Sequence, residues 1–146
     1  MNRVGTLEFV KQSDGSSPKV TIDLSSIAKE SNIAYKIKTT APKLFVVKPI
    51  QGIIAPGRTI QVEIKLQLEE LANFADIFKN KFMVQATQTE LQSSETFKLT
   101  KFWEEKTALK DKSSIQQEIL KISMVDDSSV RASEITVKDV RTEPVI

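Results

Sequence analysis

Three strand-like runs separated by prolines constrain the fold of this 146-residue chain more than any other feature of its sequence. In Ile33–Lys38 and in Ile60–Gln67, large apolar residues alternate with small or polar ones, and a period of two places one face of a strand in a core. Between them lies Leu44–Val47, a continuous apolar run bounded by Pro42 and Pro49. This run is too short for a helix, so it predicts a strand that is buried on both faces. The middle of the chain is therefore predicted to be an antiparallel β framework.

Alternating apolar residues also occur in four further segments, which are predicted strands: Thr6–Lys11, Lys19–Leu24, Lys81–Thr87 and Ile115–Met124. Two other segments repeat their apolar residues at steps of three and four and are predicted short helices: Glu69–Lys79 and Thr100–Leu109. Seven short strands with two helical connections are typical of an all-β fold, an immunoglobulin-like seven-stranded β-sandwich.

The chain is long enough to form one domain with its own hydrophobic core, without a metal or a disulfide to stabilise it. We place this domain at residues 1–124. From Val125 onward the sequence is charged, lacks aromatic residues and has no apolar face, so residues 125–146 are predicted to be a mobile C-terminal tail or the start of a linker. No apolar run approaches the roughly 20 residues of a membrane span, so we expect a soluble chain.

The composition argues against several classes of function. The chain has no cysteine and no histidine, which removes thiol catalysis, cysteine-ligated zinc and the commonest general base. Its paired carboxylates are neighbours in sequence, such as Glu104 and Glu105, and adjacent residues of a helix do not face one substrate. The formal net charge of +2 is too small to predict a nucleic-acid partner. We therefore expect no enzyme activity, no metal and no cofactor.

The outward positions of two predicted strands combine positive charge with one methionine. Lys36 and Lys38 face outward on the first strand, and Lys81 and Met83 face outward on the second, with Phe82 between them in the core. Lysines on a sandwich surface commonly do no more than keep strand edges soluble. A flexible thioether that faces away from the core between lysines is also suited to contact an aromatic side chain with acidic neighbours. The residue pattern alone leaves both interpretations open.

Four blocks of sequence resemble one known family: Lys36–Pro42 (KIKTTAP), Val47–Pro49 (VKP), Gly52–Gly57 (GIIAPG) and Lys81–Gln85 (KFMVQ). Together they resemble the major sperm protein domain as it occurs in the VAMP-associated proteins, over about residues 6–124. The resemblance implies the same immunoglobulin-like sandwich.

The resemblance also implies a binding groove for an extended peptide that carries two phenylalanines in an acidic tract, an FFAT-like motif. Carried over by position, seven residues would line this groove: Lys36, Lys38, Thr39, Thr40, Lys48, Lys81 and Met83. Lys38 and Lys81 would meet peptide carboxylates, and the two threonines would offer hydrogen bonds. Met83 would pack on a phenylalanine. Lys36 and Lys48 would add positive potential and meet a phosphate on phosphorylated peptides. In the family a residue of the last strand, often a lysine, also lines the groove, but the sequence around residues 114–118 matches too weakly to assign that residue in this chain.

Members of this family are often held on the endoplasmic reticulum by a C-terminal span. We therefore expect a non-enzymatic adaptor that recruits partner proteins to the cytosolic face of that membrane, or to contact sites, if an anchor follows in a longer protein. The alternative comes from the nematode sperm relatives, which assemble through dimers into filaments: the chain would then be a self-associating scaffold. The basic outward face around Met83 favours the adaptor.

Overall fold

A computed structural model describes residues 2–11, 15–67, 74–92, 95–109, 114–126 and 133–137. These residues form nine strands: β1 (Asn2–Lys11), β2 (Lys19–Ser26), β3 (Asn32–Thr39), β4 (Phe45–Lys48), β5 (Gln51–Ile54), β6 (Thr59–Leu66), β7 (Lys81–Thr89), β8 (Gln116–Asp126) and β9 (Ser133–Val137). A 3-10 helix, Phe74–Lys79, precedes β7, and one α-helix, α1 (Thr96–Ala108), follows it.

The strands form two layers that share one continuous path of hydrogen bonds, in the order β4-β6-β2-β1-β8-β7-β3-β5, with β9 beside β2. The first layer holds β4, β6, β2 and β9, and the second holds β1, β8, β7, β3 and β5. The two layers are joined where β1 meets β2, at the pair of Val10 and Lys19. Along its whole length β1 pairs in parallel with β8. The predicted immunoglobulin-like sandwich is confirmed, with two more strands than the seven expected.

The core lies between the layers and is built from the alternating residues that the sequence pattern places inward. Phe45 of the first layer contacts Phe82 of the second edge-on, with ring centroids 4.7 Å apart. Phe9 lies 5.5 Å from Phe45 and 6.3 Å from Phe82. Around these rings the fully buried side chains include Ile22, Leu24, Ile33, Ile37, Ile54, Ile64 and Leu66. The alternation seen in the sequence is therefore the alternation of core and surface.

A second apolar cluster lies on the outer face of the second layer, beneath α1. Leu99 and Trp103 of the helix are buried against Ala34 of β3 and Ile115. The helix begins at Thr96, before the predicted Thr100, because Leu99 belongs to the same buried face as Trp103, one turn away. The predicted second helix is thus confirmed with an earlier start.

The short strand β5 lies against Tyr35 of β3 at a glycine. Gly52 is in register with Tyr35, and a Cβ at Gly52 would lie 2.8 Å from the Tyr35 ring, closer than side-chain carbons approach. The Tyr35 hydroxyl donates to the carbonyl oxygen of Pro49 at 3.4 Å. The Lys48–Pro49 peptide bond is cis. Burial raises the pKa of Tyr35 to about 12. Glycine is required here by the close approach of the aromatic ring.

One predicted strand differs from the structure. Leu44–Val47 was predicted to be buried on both faces, but β4 starts at Phe45, pairs only with β6 in the described chain, and leaves Val46 half-buried, as an edge strand does. Within the predicted tail the structure describes the end of β8 and the strand β9; the mobility of this tail stays a prediction. The short helix predicted over Glu69–Lys79 is confirmed as a 3-10 helix over Phe74–Lys79, and residues 69–73 lie outside the described part of the chain. The domain boundary after residue 124 stays a prediction.

Candidate functional site

The strands β3, β7 and β8 bring several outward side chains into two rows. Lys38 is in register with Met83, and Met83 with Ile119, so these three residues form one row across the sheet. In the next row, Lys81 lies opposite Lys121. We call these five residues, together with Lys36 two positions before Lys38, the basic face.

The orientation of β7 decides whether this face exists. Phe82 is 1% exposed and belongs to the core, whereas Met83 is half-buried on the opposite side of the strand. The predicted inward Phe82 and outward Met83 are therefore confirmed. The same parity holds on β8, where Leu120 and Ile122 are buried and Ile119 is not.

Two residues of the basic face were missed by the sequence reasoning. Ile119 lies directly beside Met83, and Lys121 directly beside Lys81. The alternation of β8 places both outward, but only the β7–β8 register shows what they stand next to. With Ile119 in place, the apolar centre of the face is a pair of adjacent side chains instead of one methionine.

The charges of the basic face are not neutralised by the described part of the protein. Lys36 and Lys38 are partly exposed, Lys81 and Lys121 are exposed, and none of the four has a described carboxylate within salt-bridge distance. Like charges directly opposite each other on adjacent strands are destabilising, as at Lys81 and Lys121. The arrangement thus carries a small cost in stability and creates positive potential around an apolar pair, which attracts anionic groups.

The two threonines at the end of β3 already make hydrogen bonds within the fold. The Thr40 hydroxyl donates to Asn80 Oδ1 and accepts from the Lys81 N–H, both at 3.0 Å. Thr39 is in register with the core residue Phe82, and its hydroxyl accepts from the Ala41 N–H at 3.1 Å. The Thr40 side chain therefore fixes the end of β3 against the start of β7, whereas the Thr39 hydroxyl stabilises the local turn after β3.

The backbone of β3 offers an open edge at the same place. Pairing with β5 ends at Lys36 and Gln51, and one more bond runs from the Ile37 N–H to the Ile50 carbonyl oxygen, at 2.9 Å. Beyond it, no described strand pairs with the outer edge of β3 at Lys38 and Thr39. A strand edge of this kind can accept an extended segment through main-chain hydrogen bonds.

Lys48 is the predicted site residue that the structure does not bring to the basic face. It belongs to β4 in the first layer, in register with Glu63 of β6. It lines a shallow cleft on that layer's outer surface together with Val46, Glu63 and Lys65. Six of the seven predicted residues thus lie on β3, at its end, or on β7, and Lys48 lies on the other layer.

The described residues contain no cluster of three or more acidic, histidine or cysteine side chains that could hold a metal ion. Within the same residues, no helix has the length and apolarity needed to cross a membrane.

Comparisons with known proteins agree on a family. The family model described as the MSP (major sperm protein) domain matches residues 6–108. The chain is 42% identical over 67 residues to vesicle-associated membrane protein-associated protein SCS2 of Saccharomyces cerevisiae. This match covers 42% of this chain and 27% of the relative. It is 41% identical over 56 residues to vesicle-associated membrane protein-associated protein A of Homo sapiens. This match covers 38% of this chain and 22% of the relative. The matches span about a quarter of the length of these relatives.

Among solved structures, SSP-19, an MSP-domain protein of Caenorhabditis elegans, superposes with a TM-score of 0.50 at 13% identity, covering 84% of this chain and 94% of the other. At that identity the likeness concerns the fold alone. Since the family model covers most of the chain and the most similar sequences include VAMP-associated proteins, the chain belongs to the major sperm protein domain family and resembles the domains of the VAMP-associated proteins within it.

Proposed function

We propose that this domain is a non-enzymatic adaptor that binds acidic, phenylalanine-containing peptide segments of partner proteins on its basic face. One observation carries the proposal: Met83 and Ile119 form a partly exposed apolar pair among four lysines that lack described ion-pair partners. The apolar pair suits an aromatic side chain, and the lysines suit the carboxylates around it. The family resemblance supports the same ligand class.

The open edge of β3 gives the peptide its path. An extended segment that adds a strand at Lys38 and Thr39 has main-chain hydrogen bonds available to it and stays within reach of the two rows of the basic face. In this arrangement Lys38, Lys81 and Lys121 meet carboxylates, and Lys36 meets a phosphate where the peptide carries one. Thr39 contributes its main chain.

Magnitudes show which groups must carry the affinity. An exposed lysine–carboxylate pair contributes about 0.2–1 kcal/mol. Burying one phenylalanine contributes about 1.5–3 kcal/mol. Micromolar binding requires roughly 8 kcal/mol net of the cost of association. The aromatic contacts and main-chain hydrogen bonds therefore supply most of the affinity, while the lysines raise the association rate and select acidic sequences.

We extend the proposal to location on the resemblance alone. The relatives are named for their association with a vesicle-associated membrane protein, which is in keeping with work at a membrane surface. In a longer protein with a membrane anchor, the domain would recruit its partners to the cytosolic face of the endoplasmic reticulum or to contact sites.

The test is calorimetric titration of the chain with an acidic two-phenylalanine peptide and its scrambled version. Replacing Lys81 and Met83 together (Lys81→Asp, Met83→Asp) is expected to weaken binding at least about thirtyfold, because it removes an aromatic contact and reverses a charge. The matched control is Lys65→Asp with Val46→Asp, an exposed lysine and a half-buried apolar residue in register on the first layer. The control is expected to bind like the unmodified chain.

Equal affinity of both double variants, with the fold intact by circular dichroism, would contradict the assignment of the basic face. Oligomers that form with rising concentration in sedimentation, without peptide binding, would indicate the self-associating scaffold instead.

A further inference from the structure

The edge of β2 that faces away from β6 is left mostly open by β1. β6 pairs with β2 over seven positions, from Lys19–Lys65 to Ser25–Thr59. On the other edge, β1 pairs with β2 only through Val10 and Lys19 among the described residues, while β1 pairs along its whole length with β8 of the second layer. From Ile22 to Ser26, the main chain of β2 on this side would lack a partner if nothing else were docked there.

The chain fills this edge with its own C-terminal segment. β9 pairs in parallel with β2, from Ile22–Ser133 to Ser26–Val137. Residues 127–132 connect it to β8, which ends beside Lys11, on the same side of the sandwich as the Val10–Lys19 pair. Six residues reach up to about 20 Å when extended, so the connection permits docking within one chain.

The register of β9 places one unfavourable neighbour on this edge. Asp23 is in register with Glu134, so the pairing places an acidic residue opposite another acidic residue. One carboxylate oxygen of Asp23, Oδ1, is buried and has no hydrogen-bond partner in the described structure. A buried acceptor left without a partner costs free energy, and like charges on adjacent strands oppose pairing. The backbone of β9 therefore pairs with the edge of β2, whereas the acidic residue that it places in register with Asp23 is unfavourable for this pairing.

We propose that the edge of β2 from Ile22 to Ser26 is a second binding site of the domain. Its ligand is an extended segment that pairs in parallel with β2 and carries lysine or arginine in register with Asp23. β9 is the intramolecular occupant, and it holds the site closed. A short connection gives β9 an effective concentration in the millimolar range, so the mismatch at Glu134 is what allows a better-matched partner segment to displace it.

The first test measures amide hydrogen exchange in the full-length chain at the β2 residues that face β9. Glu134→Lys replaces a like charge in register with Asp23 by an opposite charge, and is expected to slow exchange there roughly three- to tenfold. The matched control is Thr136→Lys, which adds the same charge in register with Ser25, where no carboxylate stands. The control is expected to leave exchange within about twofold of the unmodified chain. Equal protection in the two variants would overturn the role of Asp23.

The second test uses two synthetic peptides of residues 131–138, one with the natural sequence and one with lysine in place of Glu134. They are titrated against the chain with Ile135→Pro, since proline inside a strand removes a ladder donor and should release β9. The lysine peptide is expected to bind this variant at least about threefold more tightly than the natural peptide, and to bind the unmodified chain more weakly. Unchanged exchange in β3 and β7 verifies that the variant is folded. Binding of neither peptide, or equal binding of both, would refute the docking site.

Discussion

The two ends of the outer face of the second layer differ in how their apolar side chains are covered. At one end Ala34 is fully buried beneath α1, which covers it with Leu99 and Trp103. At the other end the neighbouring strands β7 and β8 carry Met83 and Ile119 in adjacent positions, partly exposed and not covered by a helix of the described chain. The chain therefore buries the apolar part of this face where it has an element to do so and surrounds the rest with lysines. One end therefore contributes buried contacts to the fold, whereas the other leaves an apolar pair partly accessible.

The largest effect is expected from removing the Trp103 side chain at the end of the face that α1 covers. Trp103→Ala is expected to lower the free energy of unfolding by about 3–5 kcal/mol, because a large buried ring is replaced by a cavity. Met83→Ala is the matched truncation at the open end and should cost less than about 1 kcal/mol, since Met83 is already half-exposed. Chemical denaturation of both variants measures the difference. Similar losses for the two would show that both ends serve the fold alike.

At the open end, truncation should instead affect binding. Met83→Ala and Ile119→Ala are each expected to weaken the acidic two-phenylalanine peptide about five- to thirtyfold, through lost contact with an aromatic ring. Calorimetry gives the affinities, and Val46→Ala on the first layer serves as the control. If Ile119→Ala binds as well as the unmodified chain, the ligand does not reach β8, and the apolar centre is Met83 alone.

Salt is expected to have a smaller effect, on the rate at which the peptide associates with the basic face. Raising the ionic strength from about 0.05 to 0.5 M is expected to reduce the peptide association rate severalfold, because it screens the exposed lysines of the basic face. Lys121→Gln should reduce this salt dependence, and Lys19→Gln, on β2 of the first layer, should leave it unchanged. Stopped-flow measurements at two salt concentrations test both statements. An association rate that does not depend on salt would mean that the lysines take no part in attracting the peptide.

The smallest effect, on stability, is expected from a change between the two ends, where β5 contacts α1. Gln51 of β5 donates from its side chain to the Thr100 hydroxyl of α1 at 3.2 Å, at an exposed position. Gln51→Ala should therefore cost about 0.5–1 kcal/mol of stability or less, with no change in peptide affinity. Thermal unfolding and calorimetry check the two parts. A clear loss of affinity would place the edge of the binding surface further toward α1 than the basic face extends.

Much of the fold was accessible from local patterns. Alternation in β2, β3, β6 and β7 predicted which residues enter the core, and Phe82 and Met83 take the sides expected of them. Elements without a strong pattern were missed. β5 is four residues long and contains a glycine, and β9 lies in a charged segment, so neither stands out until its partner strand is known. Strand formation there depends on pairing over long sequence distances.

The site was predicted less completely for the same reason. Lys36, Lys38, Lys81 and Met83 are found by parity within their own strands, which the sequence shows directly. Lys48 also faces outward, but on the first layer, and parity does not tell one outer surface from another. Ile119 and Lys121 gained their meaning only from the residues opposite them on β7.

The sequence by itself determined the sandwich and the side of each strong strand that faces the core, because the two-residue period of a strand is a property of its own backbone. The tertiary structure alone decided which outward residues become neighbours, which layer Lys48 joins, and that the edge of β2 is occupied by β9. Register and strand order result from contacts between segments far apart in the chain, and no local pattern contains them.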